Sequence, residues 1–288
     1  MKIVFIILHY LAEEETYRSV DSIKNKIDVE EYKIVIVDNG SPDQSGERLQ
    51  RKYSNESKID VILTGKNLGF AKGNNVGFKY AKDKWNPDYI VLMNNDVYLL
   101  DEDLVEKVEK EYENSRFAVL GPMIMTIDGR CDINPIRTNL LTREEIKREI
   151  KVYKRKKMLC QYHLWTFRNI YRKLCPLPGR KKYKNFISRN DQVQLHGCFM
   201  VFSKKYIEKF DGLDDRTFLY REEAILYKHL CENNMNSVYL PDIHVFHRED
   251  ASTNAMIRKN RDKDFFEIKN HLDSLKVLLE VYESYEKK

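Results

Sequence analysis

Apolar residues in this chain gather in short unbroken runs, each closed by small polar residues. Residues 3–8, 34–37, 61–63, 90–93 and 238–240 are such runs, and 198–202 is another. A short continuous apolar run reads as a strand buried on both faces, the pattern of a mostly parallel sheet covered by helices. Helical spacing fills the intervals. It predicts helices over 13–25, from near Asn67 to Ala81, around Leu104, Val105 and Val108, over 204–210, and from the 218 region to Glu232. A terminal helix over 264–286 carries Phe265, Ile268, Leu272, Leu275 and Leu279 on one side. Residues 118–125 read as a strand broken at Gly121-Pro122. Ser41 and Pro42 read as an N-cap and a first helical residue. Alternating strand and helix define an α/β domain over the first ~130 residues.

Residues 137–190 break this rhythm. Overall charge is +5, but residues 143–184 hold 15 lysines and arginines against three acids, a local +12 that leaves the remainder at −7. Tyr153, Tyr162, Trp165, Phe167, Tyr171 and Tyr183 interleave with those cations. With 288 residues, 42% hydrophobic and 33% charged, the chain is globular and long enough for a sizeable core. Five cysteines without CxxC spacing argue against a disulfide framework or a zinc site and fit a reducing compartment. Residues 3–8 follow a single lysine and precede Glu13-Glu14-Glu15, so they read as a buried strand rather than a signal peptide. No apolar run approaches the ~20 residues needed to span a bilayer.

In open α/β sheets ligands sit beyond the carboxyl ends of strands. The run 90–93 ends in Asn94, Asn95 and Asp96, oxygen and amide groups that suit a hard divalent cation holding phosphate. The run 34–37 ends in Asp38, placed to meet a base or sugar, or else to brace the turn by accepting from nearby amides. Gly73, Gly77 and Ala81 share one helical face, as close packing on a sheet or ligand requires. Neither a P-loop nor GxGxxG is present. Glu222 and Glu223 open a helix, where the dipole favours carboxylates in any case. His244 and His247 fall in a strand-to-loop segment.

Four motifs stand in one order: Asp38-Asn39-Gly40-Ser41; Asn67-Leu68-Gly69-Phe70-Ala71 with Gly73, Asn74 and Gly77; Leu92-Met93-Asn94-Asn95-Asp96; and Phe218-Leu219-Tyr220 with Glu222-Glu223. His247 follows. This order resembles family-2 glycosyltransferases of the GT-A fold, close to the bacterial rhamnosyltransferase-like branch, over most of residues 2–253 outside the basic segment. The resemblance implies an inverting, metal-assisted transfer of a sugar from a nucleoside-diphosphate sugar to a hydroxyl of a glycan or lipid-linked acceptor. It implies that Asp38, Asn67, Gly69, Asn75, Asn94 and Asn95 contact the nucleotide-sugar. Asp96 and His247 would hold a divalent cation, Mn²⁺ or Mg²⁺. Glu223 or Glu222 would be the base, and Gly197 and Asp214 would shape the acceptor region. Two departures from the family pattern stand out: Asn94 replaces the first aspartate of DxD, and Glu223 replaces the aspartate of the Glu-Asp pair.

The implied organisation has four parts. Residues 1–136 are the nucleotide-sugar half, 137–190 a basic aromatic insertion with helical character, 191–260 the acceptor-side half, and 261–288 an amphipathic helix. A nucleotidyltransferase is the enzymatic alternative, disfavoured because the loop after the first run is acidic where a triphosphate needs positive charge. A non-catalytic nucleic-acid or membrane-surface protein is the other alternative; basic residues among aromatics stack bases. The acidic crevice weighs against it, and no nucleic acid is expected. The resemblance implies cytoplasmic action, and the basic segment suits peripheral contact with an anionic membrane at its inner face. A solvated basic subdomain is the plainer reading.

Overall fold

The computed structural model describes residues 2–161, 187–248 and 260–286. Trp165, Phe167, Tyr171 and the other aromatics of 162–186 lie outside the described residues, as do 251–253. The N-terminal half alternates strand and helix: β1 (Ile3–His9), α1 (Glu13–Lys26), β2 (Tyr32–Asp38), α2 (Ser45–Lys52), β3 (Ile59–Leu63), α3 (Phe70–Trp85), β4 (Tyr89–Asn94) and β5 (Val97–Leu99). Then come α4 (Leu104–Ser115), β6 (Val119–Thr126), α5 (Arg143–Gln161), β7 (Asn190–Asp191) and β8 (Phe199–Ser203). The chain closes with α6 (Lys204–Lys209), α7 (Glu222–Glu232), β9 (Ser237–His247) and α8 (Asn260–Glu286).

One sheet gathers the strands in the order β3-β2-β1-β4-β8-β6-β9-β5, with β7 also on β9. Parallel ladders join β3-β2-β1-β4 and β6-β9, while β8, β5 and β7 pair antiparallel with their neighbours. Side-chain alternation splits the strands into two cores. Ile3, Phe5, Ile7, Ile34, Ile36 and Val91 pack under α1 and α4. Val4, Ile6, Val35, Val37, Ile90 and Leu92 pack under α3, α6 and α7. A third core joins Ile146, Ile150 and Tyr153 of α5 to Leu272, Leu275 and Leu278 of α8 and Ile225 of α7. No helix among the described residues is long and apolar enough to cross a membrane.

Three local expectations change. Ser41 and Pro42 do not open α2, which begins at Ser45 after Gln44 at φ 61°. Ser41 instead accepts the Leu11 amide at 2.9 Å. Gly121-Pro122 does not break β6; the ladder to β9 shifts register between Pro122 and Met123, where Pro122 has no amide to donate. His244 and His247 lie inside a single strand β9, which runs on through Pro241, rather than in a strand-to-loop segment. The close approach of α3 is the expected one: a Cβ on Gly73 or Gly77 would lie 2.7 Å from Leu8 Cδ1 or 2.6 Å from Ile6 Cγ2.

Candidate active site

Sheet order decides where the polar residues meet. Because β8 runs antiparallel to β4, the residues entering β8 lie beside those leaving β4, and the Asn94 amide donates to the Cys198 carbonyl at 2.9 Å. Because β5 runs antiparallel to β9 with Val97 opposite His247, Asp96 and His247 become neighbours. His247 Nε2 lies 3.3 Å from Asp96 Oδ1, with both side chains nearly buried. Neither ring nitrogen of His247 makes a well-aligned hydrogen bond among the described residues; Nε2 meets Asp96 at ion-pair distance, and Cys198 lies beside the ring. Burial opposes charge on this imidazole, but Cys198 and the Asp96 carboxylate outweigh it and raise the pKa above its ordinary value.

Buried nitrogens without well-aligned hydrogen bonds call for an explanation. A divalent cation could be held there by the Asp96 carboxylate and, on displacing the imidazole proton, by His247, with phosphate oxygens supplying the remaining ligands. No group of three or more His, Cys, Asp or Glu among the described residues could hold a metal. The chain therefore offers a pair, not a complete cage.

Glu223, half-buried at the start of α7, faces the same place. A Cβ on Gly197 would sit 2.8 Å from Glu223 Oε1, so the missing side chain makes room for the carboxylate. Burial pushes the Cys198 thiol up; His247 works against this, while Asp96 and Glu223 add to it. All three groups thus act on one sulfur. The His196 ring adds a wall, its centroid 6.0 Å from that of His247.

Glu222 is different. It is 4% exposed and accepts a hydrogen bond from the Thr217 hydroxyl at 2.9 Å. Burial, and then the neighbouring Glu223, push its pKa up to about 8.

The segment before these two acids is strained and tied at every residue. Tyr220 and Arg221 have φ 73° and 72°, left-handed values that cost bulky residues ~1–3 kcal/mol each. The Phe218 carbonyl accepts the Phe70 amide of α3 at 2.8 Å. Ser274 of α8 donates to the Leu219 carbonyl at 2.8 Å. Tyr220 stacks on His271 of α8, centroids 3.9 Å apart and 11° from parallel. Arg221 Nη2 donates to Glu149 of α5 at 2.6 Å. The spacing of polar residues gave no sign of this clamp, because its partners lie far apart in the chain.

The other end of the crevice is built around Asp38. Its carboxylate accepts the Ser41 amide at 3.2 and 3.3 Å, which braces the turn. A Cβ on Gly46 would strike it at 2.4 Å. His9, opposite Asp38 in the β1–β2 ladder, is fully buried, and the apolar pattern marks it only as a strand end. Its nitrogens bond Thr16 Oγ1 at 2.7 Å and Ser45 Oγ at 2.8 Å, and Nε2 lies 3.9 Å from Asp38. Burial lowers its pKa, so the ring is neutral. Asn39 organises the next loop: it donates to Asn67 Oδ1 at 3.2 Å and to the Gly69 carbonyl at 3.1 Å, and accepts the Leu68 amide at 2.9 Å. Asn67 Oδ1 also accepts the Gly69 amide at 2.9 Å. Gly69 has φ 85°, and a Cβ there would sit 2.3 Å from the Phe218 carbonyl.

Three expected site residues make hydrogen bonds within the fold. Asn75 exchanges two hydrogen bonds with Leu213, at 2.8 and 2.7 Å, which engages both ends of its amide. Asn95 is buried and donates to Thr16 Oγ1 at 3.2 Å, turned towards α1. Asp214 accepts from Arg216 Nε at 2.9 Å and lies 3.1 Å from His229 Nε2, partners that hold its carboxyl far below the usual range against the cost of burial.

A carboxylate at the end of β4, a histidine brought beside it by β9 and an acid-bearing helix across β8 belong to a fold of the GT-A glycosyltransferase type. S. aureus TarS 1-349 superposes with TM-score 0.54 at 15% identity, covering 95% of this chain and 72% of that one. Its complex with UDP-GlcNAc gives 0.55 at 17% identity, covering 93% and 64%. The chain belongs to glycosyl transferase family 2, whose profile matches residues 4–210. Among its relatives, the low-salt glycan biosynthesis hexosyltransferase Agl10 of Haloferax volcanii is 23% identical over 231 residues, 80% of this chain and 62% of the relative. Rhamnosyltransferase WbbL of Escherichia coli is 25% identical over 224 residues, 76% of this chain and 74% of the relative. The N-acetylglucosaminyl-diphospho-decaprenol L-rhamnosyltransferase of Mycobacterium tuberculosis is 22% identical over 227 residues, 76% and 67%. The chain thus spans about three-fifths to three-quarters of these relatives' lengths.

Proposed function

We propose that the protein is an inverting glycosyltransferase. It moves a hexosyl or deoxyhexosyl group from a nucleoside-diphosphate sugar to a hydroxyl of a glycan or lipid-linked acceptor. The observation that carries this is geometric: His247 lies 3.3 Å from Asp96 just past the end of β4, and Glu223 packs against Gly197, next to the Cys198 carbonyl that the Asn94 amide meets.

In this reading the nucleoside lies along Asp38 and the Asn67–Gly69 loop, with its diphosphate directed towards Asp96 and His247. A divalent cation, Mg²⁺ or Mn²⁺, held by that pair would offset charge growing on the departing diphosphate. Glu223 accepts the proton of the acceptor hydroxyl as its oxygen attacks the anomeric carbon. The bond from that carbon to the diphosphate oxygen breaks on the opposite face, and the configuration inverts. Glu222 is buried, and burial and then Glu223 push its pKa up to about 8, so it holds its proton at neutral pH and the role of base falls to Glu223. The activities named for the E. coli and M. tuberculosis relatives support a deoxyhexosyl donor, and the latter supports a diphospholipid-linked acceptor.

Thermal shift against UDP-, GDP- and dTDP-sugars, with and without Mn²⁺ or Mg²⁺, tests the reading. One nucleotide class should stabilise the protein in a cation-dependent way. Its turnover should rise when a polyprenyl-diphosphate glycan is added. No stabilisation by any donor would refute it.

A further inference from the structure

α5 has two unlike sides. Its inner side, Ile146, Ile150, Tyr153 and Cys160, is buried in the third core. Of its three acids, Glu145 and Glu149 are engaged with Arg137 and Arg221, and Glu144 is exposed in the first turn. The outer side carries Lys147, Arg148, Lys151, Lys154 and Arg155, all exposed and without an acidic partner among the described residues. Positions 147, 151, 154 and 155 follow i, i+4, i+7 and i+8, so they form one stripe. Met158, half exposed, prolongs it by one turn.

Like charges three and four residues apart destabilise a helix. An anionic surface lying against the stripe would offset that cost. We propose that the outer face of α5 docks the protein onto an anionic phospholipid bilayer, an inference that rests on the transferase reading with a lipid-linked acceptor. From Lys147 to Met158 the stripe is ~16 Å long, straight and one helix wide, a shape suited to a plane of headgroups. A nucleic-acid partner is disfavoured, because unpaired bases need aromatic platforms and Tyr153, the sole aromatic of α5, is buried.

The orientation follows from the clamp. Glu149 on the inner side of α5 holds Arg221, the residue just before Glu222 and Glu223. A bilayer on the outer side would therefore lie about one helix diameter, ~10 Å, from the start of α7. That is the reach of the first sugars of a diphospholipid-linked glycan, so docking would bring acceptor and base together.

The test is sedimentation of the full chain with phosphatidylcholine vesicles containing zero to about 40% phosphatidylglycerol, at low and high salt. The variant K147E/R148E/K151E/K154E/R155E is compared with wild type, and the same five changed to glutamine serve if the reversed variant does not fold. Partition should rise with phosphatidylglycerol and fall with salt. Three of the five cations engaged together imply a roughly 100-fold loss in the reversed variant. Donor hydrolysis without vesicles should be unchanged in both variants, and it reads the transferase proposal separately. A loss below about tenfold, or tighter binding to a single-stranded oligonucleotide than to anionic vesicles, overturns the docking proposal. It would do so whether or not the donor is turned over.

Discussion

Replacing Glu222 by glutamine keeps its shape and removes its ionisation, so it isolates one buried charge. The folded pKa is about 8 against an ordinary 4.5, raised by burial and then by Glu223. Between those values the native state holds a proton that the unfolded state has lost. The contribution to stability is therefore complete below about 4.5 and is lost as pH rises towards 8. Each tenfold difference in proton affinity between the two states corresponds to ~1.4 kcal/mol, so the decline amounts to a few kcal/mol across the window. Glutamine has no such dependence and can still accept from Thr217. Urea unfolding at pH 5, 6, 7 and 8 should give near-equal stabilities at pH 5 and a Glu222→Gln advantage of a few kcal/mol at pH 8. Turnover should survive, because the proton acceptor is Glu223. Parallel pH profiles would refute the buried neutral acid, and a collapse of turnover would move the base to Glu222.

Asp96→Ala should lower transfer by roughly 10²–10³-fold, the scale for losing a group that stabilises transition-state charge, with the melting temperature retained; near-normal kcat on the native donor would count against it. Glu223→Gln should leave donor binding by calorimetry intact while turnover collapses, and equal small effects at both glutamates would favour simple helix capping. Gly197→Ala puts a Cβ 2.8 Å from Glu223 Oε1 and should lower kcat with little change in donor KM. Glu149→Gln releases Arg221 from its 2.6 Å contact, so kcat should fall while the donor KM holds; a change confined to KM would show that the clamp does not position the base.

What the sequence disclosed follows from how local each signal is. The apolar runs at β1, β2 and β4 are contiguous, so their burial and the polar residues at their ends were legible directly. Gly73 and Gly77 were legible because a missing side chain at helical spacing has few causes. His9 was not, since a histidine closing an apolar strand gives no sign that Thr16 and Ser45 will meet its nitrogens. Asn75 and Asn95 sit in motifs that resemble nucleotide contacts, yet amides bond whichever backbone is nearest, here Leu213 and Ala12. Nor does any local pattern report that β8 slips between β4 and β6. That choice depends on pairing strands about a hundred residues apart, and it alone sets Cys198 beside Asn94.

The position of β8 also has a consequence for how the chain is made. β4 is complete at Asn94, but the neighbour that covers its outer edge begins at Phe199. At ~5–20 residues per second, ribosomal synthesis leaves that edge bare for roughly 5–20 s. The bare edge is Ile90 to Met93, an apolar strand of the sort that recruits other strands. The nascent N-terminal half therefore exposes an apolar strand edge that the finished protein covers. A chain released before β8 emerges should be a substrate for holding chaperones, whereas one released after it should not.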